Sequence, residues 1–437
     1  MINLVTTEKG NYHMKLESKR GIRVAAAVAV GALSLGTLSA CAPSADSNVF
    51  TVWWYEKDTA MATTWAAALD AFKTAHPDVT VKFELKTWDQ IQKSGNAILD
   101  SDKAPDLAEW NKGNATAGSA SQAGLLTNLD KYAKEYGWDT MLPQSVLAYG
   151  EYTDGIMGSG SLYGVPTYGE YASWFYNVDA FKAAGIDAPP TTQAELEADL
   201  ATLKAAGQTQ CIGAKEYQNV HLAYGLALSQ ADQKFVNNFQ AFAGPVDWTK
   251  EWTYAANTIS DWIAKGYFDP NASGIGADDA VAAFQAGKCP LIYGGTWLDE
   301  GMQKNSVSFE WNKFLMPGGL SVGSAGNLLV IPERSKHKDW AAEFINMILS
   351  PEYQNMLGNN GGLPLLADEA ALTNPLTVKT YAQFKKILDN DALGMYPDWP
   401  VPGYFDIQLA AGQKLFSDGD AAAYVKTLQD FYDQNKP

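Results

Sequence analysis

Cysteine is scarce in this chain: three residues among 437, at positions 41, 211 and 289. Histidine is nearly as scarce, with His13, His76, His221 and His337 isolated from one another and from the cysteines. No pair stands at metal-ligand spacing, which argues against a zinc or iron centre. Basic side chains are also few: 32 Lys and Arg face 49 Asp and Glu, a formal charge of -17. A surface of that sign repels phosphate backbones and anionic lipid heads, so neither nucleic acid nor a polybasic membrane anchor is expected. The sequence has no G-x-S-x-G, H-E-x-x-H, Walker A or complete G-x-G-x-x-G, which leaves a nucleophile elbow, a zincin and the usual nucleotide sites unsupported. Internal repeats and low-complexity tracts are absent as well, and no cofactor is expected.

Long apolar runs are rare too, and the clearest stands near the amino end. Lys15, Lys19, Arg20 and Arg23 precede an uncharged stretch from Val24 to Leu38, then small Ser39 and Ala40, then Cys41. This is the basic-then-apolar layout of an export signal, too short for a comfortable membrane span. Leu38-Ser39-Ala40-Cys41 resembles the bacterial lipobox. That resemblance implies a lipoprotein signal peptide over 1–40, Cys41 alkylated with diacylglycerol as the mature first residue, and a tether over 41–47. It places the protein on the extracellular face of the cell membrane. Met14 is the expected start. Loss of 1–40 removes five basic and two acidic side chains, taking the charge from -17 to -20. Cys211 and Cys289 remain; outside the cytosol they either pair or stay as buried thiols, and spacing alone leaves both open.

About 400 mature residues are more than one core usually organises, so two lobes are expected. "VFTVWWY" from Val49 to Tyr55 is a continuous apolar run, the mark of a strand buried on both faces. Met61, Trp65, Leu69 and Phe72 then recur at helical spacing behind the candidate caps Asp58 and Thr59. Val79, Val81, Phe83 and Leu85 alternate as a strand. Such β-α-β units predict an α/β class with mainly parallel sheets. Crossings between lobes are expected near Gly164-Val165-Pro166 and near "FLMPGG" at 314–319. Pro351 behind Ser350 opens a further helix.

Aromatics are what the chain has in abundance: 14 Trp and 21 Tyr, many in loop contexts such as "AEWNKGN", "GGTWLDE" and "YPDWPVPGYF". Trp53 and Trp65, inside periodic runs, are expected in the core. A pyranose ring offers an apolar C–H face that stacks on indole or phenol, while its hydroxyls need directional partners. Hydrogen bonds to carboxylates are worth about 1.5–3 kcal/mol against about 1 for neutral ones. Tryptophan loops interleaved with Glu, Asp and Asn therefore suit a saccharide.

From Val49 onward the chain resembles the extracellular carbohydrate-binding proteins of ATP-driven importers, the group containing maltose-binding protein. The matching blocks are "FTVWWYEKDT", "DAFKTAHPDVTVKFE", "APDLAEWNKGNATAGSASQAGLLTNLDKY", "LYGVPTYGEYASWFYNVDAFKAAGI", "AVAAFQAGKCPLIYGGTWL" and "DWAAEFINMILSPEYQ". The resemblance implies a two-lobed periplasmic-binding-protein-like α/β fold hinged by crossing segments, with an amino lobe of 48–166 and 315–366 and a carboxy lobe of 167–314 and 367–437. It implies an oligosaccharide held between the lobes, delivery to the membrane permease subunits of a sugar importer, and a monomer. Carried over residue by residue, the sugar contacts would be Glu170 behind Gly164-Val165-Pro166, Trp110 after its strand, Trp297 after "GGT", Glu56 and Lys57 in the first strand's loop, and Tyr217 beside Glu216. Asn111 and Trp399 are further candidates. Gly113 and Asn114 replace an acidic and basic pair of the maltose binder, so Asn114 is a candidate contact for a different sugar.

Two other functions fit parts of this reading. A surface glycoside hydrolase would use Glu170 and Glu216 as its carboxyl pair, about 5–5.5 or 6.5–9.5 Å apart. The same fold can also hold a peptide, a polyamine or a metal chelate in place of sugar.

Overall fold

The computed structural model describes residues 48–54, 60–305 and 307–437. The expected signal peptide over 1–40 and tether over 41–47, with Cys41, Glu56, Lys57 and the candidate caps Asp58 and Thr59, lie outside the described residues.

The apolar run forms strand β1 (Val49–Trp54), followed by helix α1 (Ala60–Ala75), β2 (Thr80–Leu85), α2 (Trp88–Leu99) and β3 (Leu107–Trp110). β1 pairs in parallel with β2 and β3. Phe50, Val52 and Trp54 are buried; Phe50 meets Phe72 of α1 at 5.3 Å and Trp54 meets Trp65 at 5.1 Å between ring centres. Trp53 and Trp65 are core residues. β2 departs from its expected pattern: Phe83 and Leu85 remain 41% and 45% exposed, because β2 is the sheet's edge and pairs with β1 alone.

A three-stranded antiparallel unit, β4 (Glu151–Thr153), β5 (Ile156–Met157) and β6 (Ser161–Leu162), precedes β7 (Val165–Pro166). The second large sheet centres on β8 (Glu170–Asn177), with β9 (Leu291–Gly295), β10 (Trp311–Phe314) and β11 (Gly323–Ser324) all antiparallel to it. β12 (Leu328–Val330) returns to the first sheet, antiparallel to β3 and β7. The α/β class holds, but the expectation of mainly parallel sheets does not: the parallel pairings among the described strands are β1 with β2 and β3. A continuous apolar run such as β8 reports burial on both faces, which says nothing about the direction of its partners.

The chain passes from the first sheet to the second between Pro166 and Glu170 and returns between Ser324 and Leu328. The second passage therefore falls later than the expected 314–319, since Gly323 and Ser324 still pair with Tyr171 and Glu170. Pro317-Gly318-Gly319 makes a packed turn instead. Gly318 has φ +148°, and a Cβ there would lie 2.5 Å from Ser229 Cα, so only glycine fits. Cys211 and Cys289 are disulfide-bonded, their Cα atoms 5.7 Å apart. Cys289 stands just before β9.

Candidate functional site

The turn after β3 builds one wall. Gly113 adopts φ +97° and lies so close to Trp399 that a Cβ would come within 2.4 Å of Trp399 Cβ. That approach lets the indole slide beneath the turn, where it carries the Lys112 ammonium 5.1 Å above its ring. Lys112 is 1% exposed. Its Nζ donates to Glu170 Oε1 at 3.2 Å and lies 3.5 Å from Asn327 Oδ1. Burial pulls the Lys112 pKa down, and the Glu170 carboxylate opposes that pull. Ser324 donates to the same Glu170 oxygen at 3.0 Å. Glu170 and Ser324 pair directly across β8 and β11 beside the passages between sheets, and Glu170 there meets a lysine from the turn after β3.

Asp398 closes this polar cluster. It accepts from Asn111 Nδ2 at 3.3 Å, and burial pushes its carboxyl up to about 6 against the opposing effects of hydrogen bonding and Lys112. Nearby, Tyr168 donates to Glu109 at 3.2 Å and accepts from Asn327 at 2.9 Å.

The second wall is aromatic. Trp297 sits in the short turn Thr296–Leu298 after β9, folded over Gly295, where a Cβ would meet the ring at 2.0 Å. Its Nε1 donates to Tyr217 Oη at 3.2 Å. Tyr217 and His221 lie one turn apart on helix α3 (Tyr217–Leu228), so both face the indole. His221 is 5.7 Å from Trp297 and 5.2 Å from Tyr396 between ring centres, and Tyr396 is 5.5 Å from Trp399. The rings therefore run continuously from Trp297 to the indole under Lys112. Burial pushes the His221 imidazole down to about 3, so it is neutral near pH 7.

Among the described residues, the buried polar atoms in these walls and the short helix beyond that lack a hydrogen-bond partner include Trp110 Nε1, His221 Nδ1, Tyr396 Oη, Asp299 Oδ1 and Glu300 Oε2. Such orphans are costly and call for an explanation. Between the walls lies a cavity of about 40 Å³ whose lining includes Met61, Tyr168, Glu170, Trp297, Glu300 and Gly361. The cavity draws on α1, on β8 and on the turn after β9.

Among the residues expected at the site, Glu170 and Trp297 line the cavity, and Tyr217 reaches it through Trp297. Trp110, Asn111 and Trp399 are buried around Lys112 and Asp398. Asn114 is committed to the protein: its amide donates to Gln240 and Pro400 carbonyls at 2.5 and 3.4 Å and accepts from Met157 N at 2.8 Å. Glu216 is occupied elsewhere, accepting from Ala277 N at 2.9 Å. Sequence reasoning passed over Lys112, His221, Glu300, Tyr396 and Asp398. Four of these stand inside the tryptophan loops singled out for their composition, so the loops themselves were the available signal. His221 had none beyond its helical spacing from Tyr217.

The sequence profile of the bacterial extracellular solute-binding protein family matches residues 56–355. The diacetylchitobiose binding protein DasA of Streptomyces coelicolor is 24% identical over 406 residues, 87% of this chain and 88% of its own. A chitin oligosaccharide binding protein of known structure superposes with TM-score 0.73 at 21% identity, covering 89% of this chain and 99% of its own. UgpB from Mycobacterium tuberculosis, solved with glycerophosphocholine, superposes with TM-score 0.69 at 18% identity over 88% of this chain and 97% of its own.

Proposed function

Because the chain belongs to the bacterial extracellular solute-binding proteins, we propose that the solute it captures is an oligosaccharide, held between two lobes and handed to the permease subunits of an ATP-driven sugar importer. The observation that carries this reading is Trp297, a half-buried indole flanking the same cavity as Glu170. An apolar ring face beside an oriented carboxylate is what a pyranose needs.

In this reading a sugar ring stacks on Trp297 and its hydroxyls reach Glu170. Lys112 and Ser324 fix the rotamer of Glu170 and offset its charge from behind, so the carboxylate acts as an oriented acceptor. Tyr396 Oη, His221 Nδ1 and Trp110 Nε1 are further groups that a ligand, or water carried with it, would satisfy. The first sheet with its helices is taken as one lobe and the second as the other. The cavity is too small for a sugar, so entry requires the lobes to part about the two chain passages, and closure buries the ligand. In this reading no bond is broken, and Glu216, the second carboxylate of the hydrolase alternative, accepts from Ala277 N. The protein acts as a monomer, anchored by lipid at Cys41 outside the cell.

Calorimetric titration with N,N'-diacetylchitobiose, xylotriose, raffinose and maltotriose, with product masses read after incubation, tests the proposal. Tight stoichiometric binding of at least one intact sugar is expected. Catalytic shortening would replace it with the hydrolase reading, and binding of none of the four would remove the oligosaccharide claim.

A further inference from the structure

Beyond Trp297 the chain enters helix α4 (Asp299–Lys304), whose second residue is Glu300. Glu300 is 8% exposed. It lines the cavity together with Glu170 and Trp297, and its two oxygens differ in kind. Oε1 pairs with Lys304 Nζ one turn along; Oε2 is buried with no hydrogen-bond partner among the described residues. A buried carboxylate oxygen left bare is expensive, and the residue that carries it lines the cavity beside Glu170 and Trp297.

The charge of the cavity sharpens the point. Glu170 and Glu300 are both in its lining, and no lysine or arginine is among the described lining residues. Lys112 stands behind, fully buried and bound to Glu170, while Lys304 is 60% exposed. A neutral hydroxyl donor would find two acceptors here, whereas an anion would find two like charges and no uncommitted cation among the described residues.

Resting on the sugar-binding reading above, we propose that Glu300 is a ligand-contacting specificity residue. Its free carboxylate oxygen accepts a hydroxyl of the ring stacked on Trp297 and, with Glu170, bars anionic solutes. Lys304 pairs with the other oxygen from the solvent side and touches no ligand.

The test titrates wild type, Glu300→Ala, Glu300→Gln and Lys304→Ala by calorimetry with the four sugars named above and with glycerol 3-phosphate. Unfolding without ligand is measured in parallel. For whichever sugar binds wild type, Kd should rise by about tenfold or more in Glu300→Ala and about fivefold in the near-isosteric Glu300→Gln, which loses only the charge assistance. Lys304→Ala should stay within about twofold, and glycerol 3-phosphate should not bind wild type.

Wild-type affinity in both Glu300 variants overturns the proposal while leaving the sugar reading intact. So does a Lys304→Ala loss equal to that of Glu300→Ala, which would make the pair structural. Tight glycerol 3-phosphate binding to wild type also overturns it. Absence of sugar binding by wild type overturns both. If Glu300→Ala fails to fold, Glu300→Gln carries the decision.

Discussion

Trp297 and Asp398 show how a single side chain is set by its surroundings. Trp297 is held by one hydrogen bond to Tyr217 and by contact with Gly295, and part of its ring remains open. Trp297→Ala should therefore weaken sugar binding by about 2–4 kcal/mol, the range of an aromatic hot spot. The ligand-free protein should lose less stability than the about 3–5 kcal/mol of a fully buried tryptophan. Calorimetry and urea unfolding of the same variant separate the two effects. Asp398 illustrates the cost of burying a charge. Its folded pKa of about 6 lies above the ordinary 3.8, so between about pH 4 and 6 the folded state binds more protons than the unfolded one. Its contribution to stability is then full at low pH and is lost as pH rises through 6. Asp398→Asn should remove that slope, raising stability at pH 7 by about 1–3 kcal/mol relative to wild type and by little at pH 4. Denaturant titrations of both proteins across this range check it.

The strand–turn units present these side chains. β9 ends in Gly294 and Gly295, and the turn that follows folds the indole back over the second glycine. A Cβ at Gly295 would collide with the ring, and the half-buried indole can swing toward solvent. Gly295→Ala should consequently cost nearly as much affinity as Trp297→Ala while changing ligand-free stability by about 1 kcal/mol or less. Calorimetry beside thermal unfolding would show it, and a large stability loss with intact affinity would mean the strand had shifted instead of the ring. The turn after β3 works by the same device, with Gly113 admitting Trp399 beneath Lys112. In both places the glycines were visible in the sequence. Which aromatic they admit was visible for Trp297, two residues away, and hidden for Trp399, 286 positions from Gly113.

For the protein as a whole, the proposed reading couples binding to motion, because the cavity is small. X-ray scattering should give a larger radius of gyration without sugar than with a saturating amount of the sugar that binds, since opening about the passages at 167–169 and 325–327 separates the lobes. Equal radii would indicate entry without hinge motion. The proposed lipid anchor is a separate matter and falls on residues outside the described ones. Cys41→Ser should leave the protein unprocessed or release it from the membrane, as read from detergent partitioning and the mature mass. A membrane-bound mature variant would remove the lipid claim.

Local rules were enough for much of this. Periodicity placed α1 and β1, a proline behind serine opened the helix Pro351–Asn359, and family spacing brought out Glu170 and Trp297. These features depend on neighbours within a few residues or on a motif read in order, so the sequence alone determined them. Strand direction in the second sheet, the late return of the chain at 325–327, and the commitment of Asn114 and Glu216 to backbone partners were decided only in three dimensions. So was the cluster around Lys112. Lys112, Asn327 and Asp398 come from stretches of chain distant from Glu170, and each taken singly reads as an ordinary solvated polar residue. What groups them with Glu170 is proximity in the folded molecule, with Lys112 and Asn327 buried and Glu170 and Asp398 partly so.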